Sequence, residues 1–121
     1  ESAAVARILH AQWVGSVQIC GSYILRFENR GNPNPVRRDR VAMIMNRFEP
    51  PVPLTSRIRT RAAELSDAGV AAMDAFHVAC AEAAQAHYFV TCDDDLVKKL
   101  ERIKPRIVVM DPLDLAKELN L

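Results

Sequence analysis

Ala72-Met73-Asp74-Ala75-Phe76-His77-Val78-Ala79-Cys80-Ala81-Glu82-Ala83-Ala84, followed by Tyr88-Phe89-Val90-Thr91-Cys92-Asp93-Asp94-Asp95-Leu96, carries the clearest structural signal in the chain. Alanine has the highest helix propensity, and Phe76, Ala79, Cys80 and Ala83 recur at helical spacing, which predicts a helix over 71–86. Tyr88 to Thr91 form a compact apolar strand, and three aspartates then lead into a helix from Asp94 to Arg102. Strands alternating with helices imply an α/β fold, a parallel sheet covered on both faces. Such sheets bind ligands at the carboxyl ends of their strands, so Cys92 to Asp95 fall on the functional edge.

The alternation continues in both directions. Downstream, Ile107 to Met110 is predicted as a strand and Pro112 to Leu119 as a helix, with proline in its favoured first position. Upstream, Thr55 or Ser56 caps a helix that runs to Ala68 and stops at Gly69. Val52 to Leu54 is predicted as a short strand after a helix bearing Val41, Ile44, Met45 and Phe48 on one face. Gly31-Asn32-Pro33-Asn34-Pro35 is a breaker. Before it, Ser22 caps a helix carrying Tyr23, Ile24, Phe27 and Glu28, and Ser16 to Cys20 precede it as a β-prone stretch. Ala3, Val5, Ile8 and Leu9 give residues 1–11 a helical pattern.

With 121 residues, half of them apolar, the chain is expected to form a single domain over 1–121 with a packed core. No apolar run approaches the ~20 residues needed to span a bilayer. The opening Glu-Ser-Ala-Ala lacks a basic region followed by an apolar one, so a cytoplasmic protein without membrane contact is expected. Cys20, Cys80 and Cys92 show no C-x-x-C spacing, which fits a reducing compartment and predicts buried small hydrophobes. The net charge is only +1, but Arg37, Arg38, Arg40, Arg47, Arg57, Arg59 and Arg61 make the middle third basic. Those arginines read as solvated helix faces or as a phosphate-contacting surface.

The chemistry-bearing residues are acids. Asp93, Asp94 and Asp95 repel one another unless they cap the following helix or share a hard divalent cation, and one acid can do each. Asp74 stands in apolar company near a helix start, which marks it as a helix-start residue or a functional group. His77 shares its face at i+3 and is predicted to pack or hydrogen-bond, because no third His or Cys ligand appears at zinc spacing. Glu28 reads from spacing alone as an ordinary helix glutamate.

The two segments around Asp74 and Asp93 resemble the C-terminal half of PIN-domain ribonucleases, in which an Asp-Ala-x-His helix leads to an apolar strand and a Thr-x-Asp turn. Val108 to Leu115 look like that family's last strand and helix, Glu1 to Val5 like its first helix, and Ile24 to Glu28 like the segment bearing its second acid. The resemblance implies a three-layer αβα sandwich around a central parallel sheet. It also implies Mg²⁺- or Mn²⁺-dependent cleavage of RNA, often by the toxin of a toxin–antitoxin pair. Glu28, Asp74 and Asp93 match the second, third and fourth acids as metal-binding and catalytic residues, with Asp95 and Thr91 as auxiliaries. An RNA substrate, an antitoxin protein and a homodimer are the implied partners. The family's first strand and its acid have no counterpart here, so the expected sheet lacks its central strand. The alternative is a catalytically inactive PIN-like domain that binds RNA or protein. An unrelated nucleotide-binding module finds no glycine-rich phosphate loop among four glycines.

Overall fold

Small side chains set the centre of the molecule. On α5 (Ala72–Ala83), Ala75, Val78, Ala79 and Cys80 are buried, and α4 (Ser56–Asp67) offers Ile58, Ala62 and Leu65 in return. Alanines at 62, 75 and 79 let the two helix backbones approach closely, and their packing is the most extensive between any two elements. The turn between them is a Schellman motif: Val70 donates to the Leu65 carbonyl and Gly69 to that of Ser66. Gly69 has φ +108°, which suits glycine alone, and the two ends of the motif, Leu65 and Val70, are both buried. Leu96 and Leu100 of α6 (Asp94–Ile103) complete this core, with Val52, Leu54, Phe76, Phe89, Ile103 and Val109 packed around it.

The computed structural model describes residues 2–121; Glu1, expected in the first helix, lies outside the described residues. The remaining elements are α1 (Ser2–Trp13), β1 (Cys20–Ser22), α2 (Tyr23–Arg30), α3 (Pro35–Met45), β2 (Glu49–Val52), β3 (Tyr88–Val90), β4 (Val108–Met110) and α7 (Pro112–Glu118). The first and last helices pack against each other, and Ala4, Ala11, Leu115 and Ala116 are buried there. The fold is α/β, with parallel pairing as the alternation predicts. Among the described residues the strands form two separate ladders, β1 with β2 and β3 with β4, rather than one sheet. Helix α5 contacts both β1 and β3, so one helix spans the two ladders.

Two strands lie away from their predicted positions, each for a local reason. The strand expected over Ser16–Cys20 begins only at Cys20, because the turn that ends α1 takes the preceding backbone donors. Ser16 and Val17 both donate to the Ala11 carbonyl, and Ile19 donates to the Gln12 side chain. The strand expected over Val52–Leu54 runs instead over Glu49–Val52, through two prolines. Proline cannot donate to a ladder, so it is confined to strands with an unused side, and β2 pairs with β1 alone. The register slips from Cys20↔Glu49 to Ser22↔Val52, one extra residue on the proline strand, as in a β-bulge.

Candidate functional site

The carboxyl ends of β3 and β4 lie side by side, because Tyr88, Phe89 and Val90 pair in register with Val108, Val109 and Met110. Thr91 extends the ladder by donating its N–H to the Met110 carbonyl. Asp93 after β3 and Asp111 after β4 therefore share one edge. Both cap helices. Asp93 Oδ1 accepts from the N–H groups of Asp95 and Leu96 at 3.0 and 3.1 Å, and Asp111 Oδ1 accepts from Asp114 at 2.7 Å. Thr91 Oγ1 accepts from the Asp93 N–H at 3.2 Å, which fixes the turn presenting that carboxylate. Asp93, Asp94 and Asp95 are all exposed at the positive end of the α6 dipole.

Asp74 is half-buried in the first turn of α5. Ala71, the residue before that helix, makes no side-chain cap, so Asp74 is the acid that complements the helix N-terminus. One turn further, His77 Nε2 meets Glu28 Oε1 at 2.5 Å across 49 residues of sequence and ties α2 to α5. The hydrogen-bonding role expected of His77 is what the structure has. Glu28, itself exposed, is thereby brought next to the face that bears Asp74.

These contacts commit the acids locally. Among the described residues, no three His, Cys, Asp or Glu side chains are grouped to hold a metal ion. Glu28, Asp74 and Asp93 are positioned by α2, α5 and the β3–α6 turn without forming a complete ligand set. Their carboxylates are the hard oxygen donors a divalent ion takes, but they supply only part of the several oxygens it gathers around one point.

The most strongly held carboxylate escaped the sequence reading. The Glu82 side chain on α5 is only 4 % exposed, and it accepts from Arg61 Nε and Nη2 at 2.7 and 3.1 Å and from the Arg106 N–H at 2.8 Å. Burial pushes the Glu82 carboxyl up, but Arg61 and the Arg106 amide outweigh it and hold the group below the usual carboxylate range. The hydrogen bonds to Glu82 in turn raise Arg61 above its ordinary value. This fork is a structural clamp between α4, α5 and the segment before β4. The signal was present: Glu82, like Asp74, is an acid in an alanine-rich apolar segment. Arg61 is therefore not a solvated residue, whereas Arg37, Arg40, Arg47, Arg57 and Arg59 are exposed. The cysteine expectation holds only for Cys80, whose thiol is pushed up by burial; Cys20 and Cys92 are exposed because each borders a strand end.

The family model described as PIN domain matches residues 4–102, a span containing Glu28, Asp74, His77, Thr91 and Asp93. The chain belongs to the PIN domain family. No curated protein and no solved structure gave a significant match. A nuclease-like fold follows from PIN membership. Among the described residues, no helix of this PIN domain is long and apolar enough to cross a membrane.

Proposed function

We propose that this PIN domain is a cytoplasmic endoribonuclease that hydrolyses RNA phosphodiester bonds with Mg²⁺ or Mn²⁺, of the kind that serves as the toxin of a toxin–antitoxin pair. The observation that carries the reading is the family match over residues 4–102, a span that contains Asp74 and Asp93. Glu28, Asp74 and Asp93 are the proposed ligands, with Asp95 auxiliary and Thr91 setting the Asp93 turn. When bound, such ions activate water and neutralise developing charge on the phosphate. The ligand set needs a further carboxylate. In the proposed fold, a fifth strand lies between β1 and β3, joins the ladders into one central sheet of an αβα sandwich, and brings that acid. Support comes from α5, which contacts both strands while neither pairs with the other. A homodimer and an antitoxin partner belong to the same proposal.

A second reading is favoured by one observation. Asp93 is occupied as a cap and Glu28 by His77, and no three-ligand group exists among the described residues. In that reading the domain binds RNA or protein without cleaving. Calorimetric titration with Mn²⁺ separates the two. The nuclease reading expects saturable binding that is lost in Asp74→Asn and Asp93→Asn. A silent domain shows no such binding, and the same changes leave its melting temperature equal or higher through relief of carboxylate repulsion.

A further inference from the structure

The C-terminal end of α1 and the end of α3 enclose a concavity of about 450 Å³ lined by Leu9, Gln12, Trp13, Ile44, Arg47 and Phe48. That volume is within the range of small-ligand sites. Trp13 is 67 % exposed, an unusual state for a large aromatic, and the Arg47 guanidinium lies over its ring at 4.2 Å. Gln12 holds the two walls together: Nε2 donates to the Arg47 carbonyl at 3.1 Å and Oε1 accepts from the Ile19 N–H at 2.5 Å. Arg26 reaches the same rim by donating to Asn46 Oδ1 at 3.4 Å. Arg40 stands one turn before Ile44 on α3 and is exposed.

We propose that this pocket seats an unpaired RNA base, stacked on Trp13 and Arg47 against Phe48, with the adjoining phosphates held by Arg26, Arg40 and Arg47. Aromatic rings and guanidinium planes are the surfaces on which single-stranded bases stack, and arginines beside them supply the backbone charge. Charge selects this occupant over an apolar helix. None of the six lining residues is acidic, and residues 1–48 carry seven arginines against Glu1, Glu28 and Asp39. The pocket is separate from the acids on α5 and at the β3–α6 turn, so the inference goes beyond cleavage and holds equally for a non-cleaving RNA binder.

Trp13 is the only tryptophan in the chain, so its fluorescence reports on this pocket alone. The experiment titrates a mixed-sequence single-stranded RNA of about eight nucleotides, within the span one such surface covers, into the full chain with EDTA present. Expected is saturable quenching of Trp13 that weakens with salt. Binding falls about tenfold in Arg47→Ala and in Phe48→Ala, while Arg102→Ala, on α6 and outside the pocket lining, binds as the parent does. Circular dichroism checks each variant, and the exposed Arg47 keeps the test valid if Phe48→Ala unfolds. Equal quenching by inorganic polyphosphate, RNA binding indifferent to Arg47→Ala, or no quenching would overturn the base pocket. So would a blue shift of Trp13 with protein concentration alone, since a second copy would then cover it. EDTA removes metal-dependent cleavage from the readout, so failure here and failure of the nuclease reading are separate results.

Discussion

Asp93 caps α6 through two backbone N–H groups and is also a proposed metal ligand, and two substitutions separate these duties. Asparagine caps helices as well as aspartate does, whereas alanine cannot. Asp93→Asn is therefore expected to keep the parent's stability and lose Mn²⁺ binding. Asp93→Ala should lose both, with a cost of about 1 kcal/mol in a urea melt. Glu82 calls for a different experiment, because its clamp is buried. Glu82→Ala removes the acceptor of Arg61 Nε and Nη2 while Glu64 still holds Nη1 at 3.0 Å, and is expected to cost about 2 kcal/mol, the scale of hydrogen bonds to a charged group. Denaturant unfolding that shifts by less than about 1 kcal/mol would place the clamp among surface pairs instead. These residues also show where sequence reading stops. The helix-start positions of Asp74 and Asp93 were legible because the sequence around each is local and strongly patterned. Glu82 was not, since its partners Arg61 and Arg106 lie 21 and 24 residues away and only the folded chain brings them together.

Helices were legible at the level of elements because their caps are local. Ser22, Asn34, Thr55, Asp93 and Asp111 each accept an N–H two or three residues on, so each start is written in the residue itself. Strand positions were harder, because they depend on where backbone donors go. Residues 16, 17 and 19 looked β-prone, but their N–H groups were already taken by α1. At the α4–α5 turn, Gly69 holds φ +108° with open space where a side-chain methyl group would sit, so the obstacle to a larger residue is conformational rather than steric. Gly69→Ala is expected to destabilise by about 1–2 kcal/mol, read as a lower urea midpoint at unchanged slope. An unchanged midpoint would mean that the turn relaxes and that the Schellman bonds to Leu65 and Ser66 are not required.

At the scale of the whole molecule, the Glu82 clamp makes stability depend on pH with a definite sign. Its carboxyl protonates at lower pH in the folded chain than in the unfolded one. The unfolded state therefore binds more protons, and stability rises with pH through this interval. The clamp's contribution is full above the unfolded carboxylate value of about 4.3 and is lost as pH falls through the lower folded value. Melts of the parent and Glu82→Gln are expected to converge in acid and to separate toward neutrality; a constant gap would contradict the assignment. The proposed nuclease reading rests on the acids that α2, α5 and the β3–α6 turn position. Mn²⁺-dependent cleavage of a mixed single-stranded RNA, run on the parent beside Asp74→Asn, tests it most directly. Cleavage that requires the metal and disappears in the variant is the expected result. Absence of metal-dependent cleavage in the parent, or equal cleavage by Asp74→Asn, would contradict it.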